Sequence, residues 1–153
     1  IQANDLIGRK IAREGGATLK EVVGIMQQVD VALSKQPGED FAAIHAGFSR
    51  GVQALADAAT YIATNFSQDI KGVHVGAVPF LRLMGIVSGG WQMARALLVA
   101  QEQLAQGQDA DFMRAKIATA RFYGDHILAK APGLRDSIVE GADSVTALAL
   151  EAF

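Results

Sequence analysis

The sequence predicts an all-α fold, an antiparallel up-and-down bundle of four long helices with short helical pieces at both ends. Apolar residues recur at three- and four-residue steps along most of the chain, which is the spacing of one helix face. No stretch alternates between apolar and polar residues for long enough to form a strand. The pairs Gly15-Gly16, Pro37-Gly38 and Pro132-Gly133 divide the chain into segments of helical length.

The first segment, residues 1–14, is amphipathic in a helical sense. Its apolar side carries Ile1, Leu6, Ile7 and Ile11. Basic residues gather near its end, where they suit the negative end of a helix dipole: Arg9, Lys10 and Arg13. A solvated helix end explains this cluster better than a phosphate site does. We expect Gly15-Gly16 to end the segment in a left-handed cap.

Two helices are predicted next, over residues 17–35 and from Glu39 or Asp40 to Phe66. The buried row of the first is Leu19, Val22, Met26, Val29 and Leu33. The buried row of the second is Phe41, Ile44, Phe48, Val52, Leu55, Ala59 and Ile62. Beside it lies a row of small residues, Gly47, Gly51, Ala54 and Ala58, which we expect to face Gly85 and Gly89. A connector over residues 67–76, with one short turn, follows.

The central helix of the predicted bundle runs from Ala77 to about Gln106, with Pro79 in its first turn. Apolar residues cover much of its circumference, so we expect neighbours on at least two sides. Gly85 and Gly89 should allow a neighbouring backbone to approach, and Trp91 should be buried against the third or fifth helix. Its longest uncharged stretch, residues 83–94, is shorter than the roughly 20 residues that span a membrane. We therefore predict no membrane span.

The fifth helix is predicted from an Asp109 or Asp111 cap to about Lys130, with Pro132-Gly133 ending it. Its buried face is Met113, Ile117, Ala120, Gly124 and Ile127. The tail, residues 134–153, is again expected to be helical. We expect four of its residues to point inward: Ile138, Ala142, Val145 and Leu148.

Composition limits the classes of function. A chain of 153 residues with 50% apolar residues and a mean hydropathy of +0.21 is unusually apolar for one domain, which favours a piece that docks against another domain. The net charge of −2 comes from scattered charges of both signs, so no basic surface for nucleic acid is predicted. The absence of cysteine excludes disulfides, thiolate metal sites and thiol catalysis. Because the chain starts at Ile1 without methionine, we expect it to be a fragment.

Catalytic motifs are weak. Residues 47–51 match the G-x-S-x-G nucleophile elbow, but that motif needs a strand–turn–helix context, and here it lies within a predicted helix. The histidines His45, His74 and His126 form no H-E-x-x-H or Glu-x-x-His pattern, so no metal site is predicted. The residues alone therefore indicate a helical domain and name no reaction.

Several short motifs, spread over nearly the whole chain, resemble acyl-CoA dehydrogenases. Residues 1–10, IQANDLIGRK, resemble the segment that follows the Y-E-G-T-x-G stretch of that family. The other matching motifs are Arg13-x-Gly15-Gly16, Pro79-x-Leu81-Arg82-Leu83-x-Gly85, Gly89-Gly90-Trp91-x-x-Ala94-Arg95, Ala115-Lys116-x-Ala118-Thr119-Ala120-Arg121-Phe122-Tyr123 and Gly141-Ala142-Asp143-Ser144-Val145. These resemble the extra C-terminal helical domain of the larger bacterial members.

The resemblance implies an FAD-dependent parent enzyme. In that family the Y-E-G-T glutamate removes the α-proton of an acyl-CoA thioester while a hydride passes from the β-carbon to the flavin. This chain starts after that glutamate, so no catalytic residue and no bound cofactor are expected in it. Gln2 matches a glutamine that the family places near FAD, and it is the single site residue carried over.

The resemblance also divides the chain and implies its partners. Residues 1–14 would be the tail of the catalytic region, and residues 15–153 the C-terminal bundle. The partners implied are the catalytic domains of the same polypeptide, the acyl-CoA substrate of the parent and a second copy in a homo-oligomer, in the cytoplasm. The alternative is a non-catalytic helical interaction module with its own protein partner. A Y-E-G-T-x-G sequence upstream of Ile1 would decide between the two.

Overall fold

Helices account for the regular structure of this chain. The computed structural model describes residues 1–152, apart from the side chain at position 150. The predicted tail and the predicted bundle domain both end at residue 153, which lies outside the described part. The α-helices are α1 (Gln2–Asp5), α2 (Ala17–Ser34), α3 (Glu39–Asn65), α4 (Ile70–Val75), α5 (Ala77–Ala105), α6 (Ala110–His126), α7 (Ala131–Val139) and α8 (Ala142–Thr146). A π-helical segment covers Leu6–Ile11, and 3₁₀ turns cover Ala12–Glu14, Leu128–Lys130 and Leu150–Ala152. Residues 1–152 contain no strand, and the all-α class is confirmed.

The long helices α3 and α5 form the centre of the fold. They pack against each other, and α2, α6 and α7 each contact both of them. Both helices contribute fully buried residues to the core: Phe48 and Leu55 from α3, and Phe80, Leu83 and Val87 from α5. The predicted apolar row of α3 is buried throughout except for Ala59, which is half-buried. The predicted bounds of α2, α3 and α5 agree with the structure to within two residues.

Gly47 faces α6, and Gly51 faces Leu128, Val87 of α5 and Ala131 of α7, so the predicted pairing with Gly85 and Gly89 is wrong. A Cβ added to Gly47 would lie 3.2 Å from the Gly124 carbonyl oxygen of α6. A Cβ on Gly51 would lie 3.2 Å from a Leu128 methyl carbon. Sequence periodicity identifies a small-residue face, but the partner of that face depends on how the helices cross.

On α5, only one of the two glycines predicted to face a neighbour does so. Gly85 is exposed, and a Cβ added there would meet no atom within 4 Å. Gly89 lies against the Tyr123 hydroxyl, and a Cβ there would collide with it. Gly90, its neighbour, is buried against Leu128, whose nearest methyl carbon would be 2.6 Å from an added Cβ.

The first segment is helical and packs into the same core as the rest of the chain. Ile7 and Ile11 are buried, as predicted, whereas Ile1 is fully exposed. The middle of the segment is π-helical, which the 3.6-residue apolar period did not indicate. Gly15, with φ 58°, forms the left-handed cap that the sequence predicted.

The region after α6 differs most from the prediction. Pro132 lies in the first turn of α7 and so starts a helix, whereas the sequence suggested that it ends one. A proline fits either side of a helix boundary, because the first turn does not need its missing N–H. Ile138 and Ala142 are buried as predicted, but Val145 and Leu148 are 63% and 61% exposed. Asp109 lies at the N-cap of α6 with φ 41°, yet its side chain makes no capping hydrogen bond.

Trp91 and the apolar surface of α5 also depart from the prediction. Trp91 was predicted to be buried, but it is half-buried, and it lines a depression together with Ile25, Val29 and Ala32 of α2. Within the described residues, Ala77–Ala105 is the one helix long and apolar enough to cross a membrane by length and composition alone, a test that the core helix of a bundle also meets. Of its most apolar stretch, 33% is buried, and partly buried residues such as Met84, Ile86 and Leu98 also pack against the core.

Candidate functional site

Gln2, the predicted cofactor contact, lies at the edge of the molecule. It is the first residue of α1, and its side chain is exposed. The next residue, Ala3, is buried, and α1 contacts α5, so the position of Gln2 is fixed by packing on its neighbour. The role of Gln2 in cofactor binding stays a prediction.

The basic residues of the first segment are solvated. Arg9 pairs with Asp5 one turn earlier at 3.3 Å, and its side chain is 83% exposed. Lys10 and Arg13 are also exposed. This arrangement agrees with the interpretation of the cluster as a helix end, because an exposed ion pair one turn apart contributes only a few tenths of a kcal/mol, roughly.

The G-x-S-x-G match serves packing. Ser49 lies inside α3, which continues from Glu39 to Asn65, so there is no strand–turn–helix around it. Its flanking glycines, Gly47 and Gly51, are buried against Gly124 and Leu128. The interpretation of this motif as a packing surface is confirmed.

The histidines are dispersed and each has a local neighbour. His45 Nε2 lies 3.5 Å from Asp30 Oδ1, across the α2–α3 contact. His74 Nδ1 lies 2.7 Å from the Ile70 carbonyl oxygen. The His126 ring lies 4.6 Å from that of Phe122. Among residues 1–152, no group of three or more histidine, aspartate or glutamate side chains is arranged to hold a metal ion.

Arg121 joins the start of α3 to the end of α6. It contacts Asp125 at 2.7 Å and Asp40 at 3.2 Å, beside an open depression of about 480 Å³. The hydrogen bond with Asp125, followed by the charge of Asp125 and the contact with Asp40, raises the pKa of Arg121. We call this group the Arg121 clamp. The other cation that lines the depression, Arg114, pairs with Asp111 at 2.9 Å, so both guanidinium groups of the depression already have carboxylate partners.

A groove between α2 and α3 is lined mainly by small residues. Its volume is about 530 Å³, and Gly16, Gly24, Ala56, Ala59 and Ala63 contribute to its walls. Lys20 lies along it as the one cationic residue among those walls. The groove arises because small side chains leave the two helices incompletely covered.

A third depression, of about 360 Å³, lies between α2 and α5. Ile25, Val29 and Ala32 form one wall, and Trp91 and Arg95 form the other. The Arg95 guanidinium lies 5.7 Å from the centre of the Trp91 ring. Trp91 Nε1 is buried without a hydrogen-bond partner in the described part of the chain. Gln28 also lines this depression, so an otherwise apolar lining carries two polar side chains, Gln28 and Arg95.

Two contacts that the sequence did not indicate join α6 to its neighbours. Tyr123 donates a hydrogen bond to the Ile86 carbonyl of α5 at 3.1 Å, and burial raises the pKa of Tyr123. Arg121 forms the clamp described above. Neither could be identified from helical periodicity, because both depend on which turns of two helices meet.

None of the sites described above places a nucleophile beside a base. The functional assignment therefore depends on the family relationship. The family model described as "Acetyl-CoA dehydrogenase C-terminal like" matches residues 18–149. The chain belongs to this family of acyl-CoA dehydrogenase C-terminal domains. The match starts one residue after the first residue of α2 and covers every long helix of this C-terminal domain.

Two curated relatives of this C-terminal domain are acyl-CoA dehydrogenases. One is 3-methylmercaptopropionyl-CoA dehydrogenase from Ruegeria pomeroyi, 34% identical over 156 residues that include 98% of this chain. The other is the broad-specificity linear acyl-CoA dehydrogenase from Mycobacterium tuberculosis, 30% identical over 151 residues that include 94% of this chain. The chain spans about a quarter of the length of each, 25% and 24%.

Proposed function

We propose that this chain is the C-terminal structural domain of an FAD-dependent enzyme that dehydrogenates an acyl-CoA thioester between its α and β carbons. The observation that carries the proposal is the alignment of 98% and 94% of the chain with two proteins named as acyl-CoA dehydrogenases. The physical role of the domain is to cover part of the catalytic region or of a subunit contact. Its exposed apolar residues on α2, α5 and α6 support that role.

The described residues do not fit a flavin by themselves. Gln2 is exposed at the edge of α1, and none of the three depressions includes it. A single side-chain hydrogen bond contributes only about 1 kcal/mol, far less than flavin retention requires. The chain alone therefore holds no FAD and catalyses no dehydrogenation, and the chemistry belongs to the longer polypeptide, which works on fatty acyl-CoA substrates.

The finer organisation is part of the same proposal. Residues 1–14 are the tail of the catalytic region, residues 15–153 are the bundle, and Gln2 contacts the flavin held by the parent. The helices α2, α3, α5 and α6 run up and down in turn. This direction is supported by the approach of Gly16 to Ala63 and of His45 to Asp30, which pairs α2 and α3 in opposite senses. The parent is a cytoplasmic homo-oligomer.

The test compares the 153-residue chain with the longer polypeptide from the same gene. The proposal predicts a Y-E-G-T-x-G sequence immediately upstream of Ile1. The longer polypeptide should purify with FAD, seen in its visible absorbance, and should reduce an artificial electron acceptor when an acyl-CoA is added. The 153-residue chain should do neither.

Two results would contradict the proposal. Dehydrogenase activity in the 153-residue chain would show that the catalytic base lies within these residues, whereas the proposal assigns it to the sequence upstream of Ile1. A longer polypeptide without flavin or acyl-CoA activity would instead favour a non-catalytic interaction module.

A further inference from the structure

The outward side of α6 carries two exposed aromatic residues. Phe112 and Phe122 are 57% and 59% exposed, whereas every other phenylalanine, tyrosine or tryptophan in residues 1–152 is buried or half-buried. The helix packs on α3 and α5, and it buries just two of its own residues, Ala120 and Gly124. The side of α6 that points away from α3 and α5 is therefore open in the described part of the chain.

The two exposed rings lie on the same face of the helix. Ten residues separate them, which at 3.6 residues per turn is about 80° short of three full turns. Ala115 and Thr119, both exposed, lie between the two rings on this face. These four residues, Phe112, Ala115, Thr119 and Phe122, define one surface, here called the α6 face.

Contacts within α6 leave more than half of each ring exposed. The Lys116 ammonium lies 5.0 Å from the ring centre of Phe112, and the His126 ring lies 4.6 Å from that of Phe122. The exposed fractions of 57% and 59% are what remains beside these neighbours. Aromatic side chains of this kind are enriched in the centre of protein–protein interfaces.

Two ion pairs neutralise charges beside the α6 face. Arg114 contacts Asp111 at 2.9 Å, and Arg121 contacts Asp125 at 2.7 Å. Because each pair is neutral as a whole, these charges do not oppose the approach of an identical surface. A polar border around aromatic side chains is also the usual composition of an interface rim.

The α6 face is symmetric in side-chain size about the level of Ile117. Phe112 and Phe122 lie five residues on either side of that level, and Ala115 and Thr119 lie two residues on either side. A two-fold axis at this level, perpendicular to the helix, places each phenylalanine opposite the other phenylalanine of an antiparallel second copy. It also places Ala115 opposite Thr119, where small side chains let the two helices approach. A symmetric dimer requires such a self-complementary surface.

We propose that α6 of one subunit pairs antiparallel with α6 of a second copy through the α6 face. This proposal rests on the homo-oligomer of the proposed function and gives that oligomer an interface. A different surface of the same polypeptide would need no two-fold symmetry in the residues that it covers. A helix of 17 residues, about 25 Å long, buries less than the roughly 800 Å² per partner of a typical stable complex. The α6 pair is therefore one part of a larger subunit contact.

The test forms disulfides between subunits of the flavin-loaded longer polypeptide. Phe112→Cys and Phe122→Cys chains are co-expressed with different tags, purified through both tags and oxidised in a glutathione buffer. Antiparallel pairing places the cysteine at position 112 opposite the cysteine at position 122, while one native phenylalanine pair stays intact at the other end. The two positions 112 of like chains would be about 15 Å apart along the helices, too far for a disulfide.

The mixed disulfide between positions 112 and 122 should exceed either like-with-like disulfide on the order of tenfold. Mass spectrometry of the linked peptides measures this ratio. Val99→Cys is the matched control, since Val99 is 55% exposed and lies on α5. A cysteine at position 99 should form disulfides only by random collision, and so no more than the like-with-like background.

Other results would overturn the pairing. An excess of the like-with-like disulfide at position 112 would indicate parallel helices, and equal amounts of every disulfide would indicate collision alone. Absence of any disulfide in a flavin-loaded, active polypeptide would overturn the pairing and leave the proposed enzyme activity intact. A longer polypeptide without flavin or acyl-CoA activity would overturn that activity, whereas an excess of the mixed disulfide in it would still support the pairing.

Discussion

Tyr123 and Gly89 depend on each other across the α5–α6 contact. The Tyr123 hydroxyl donates to the Ile86 carbonyl at 3.1 Å, and it reaches that oxygen over Gly89. We expect Gly89→Ala to displace the hydroxyl and to lower the free energy of unfolding by about 1–3 kcal/mol, as other overpacked sites do. Urea denaturation followed by circular dichroism measures the change.

Gly85→Ala is the matched control, since the same helix is exposed at that position. There the substitution should raise the free energy of unfolding by up to about 1 kcal/mol through helix propensity. In a Tyr123→Phe background the cost of Gly89→Ala should shrink, because the colliding hydroxyl is gone. An unchanged cost in that background would show that the collision involves something else.

The two tyrosines make stability depend on alkaline pH. Burial raises the pKa of Tyr123 above its ordinary value of 10.0. Burial first, and then the charges of Asp69 and Asp143, raise the pKa of Tyr61. Because the folded pKa exceeds the unfolded one, this contribution to stability is fully present below about pH 10 and is lost as the pH rises through the folded pKa.

We expect the free energy of unfolding to fall above about pH 10, and to fall less steeply in Tyr123→Phe, since that variant lacks one of the two groups. Denaturation at a series of pH values, with tyrosinate absorbance recorded in parallel, tests this. Identical slopes for the variant and the parent chain would contradict the role of Tyr123.

At the scale of elements, the first segment is a structural part of the bundle. Ile7 is fully buried, whereas Ile1, in the same segment, is fully exposed. Ile7→Ala should therefore lower the free energy of unfolding by about 2–5 kcal/mol, and Ile1→Ala should leave it nearly unchanged. Thermal denaturation of the two variants decides the matter, and equal melting temperatures would mean that the segment is detached in solution.

Helix bounds were predictable from the sequence because each helix of the core has one continuous apolar face. Met26 on α2 and Leu55 on α3 lie on predicted faces and are fully buried. The π-helical segment Leu6–Ile11 was not predictable, since its apolar spacing also fits an α-helix. Pro132 was assigned to the wrong end of a helix because its fixed φ suits both a break and a first turn. Val145 and Leu148 are exposed, so they lack the core that their apolar period implied.

At the scale of the whole molecule, the sequence predicted the family but not the arrangement of its surfaces. The family followed from short motifs whose order spans the chain, and the comparisons confirm it. The Tyr123 contact, the Arg121 clamp and the small-residue contact of Gly47 with Gly124 depend on where helices cross, which periodicity does not specify. The position of Gln2 relative to a flavin depends on a region outside this chain.

The central position of α3 and α5 has a consequence for the order of folding. These two helices are neighbours in sequence, joined through α4, so their contact closes a short loop at low entropic cost. Because α2, α6 and α7 each pack on both helices, we expect the α3–α5 contact to be formed in the folding transition state and the contacts of α7 to form later. Substitutions such as Val87→Ala at the α3–α5 contact should therefore slow folding, whereas Ile138→Ala in α7 should mainly accelerate unfolding.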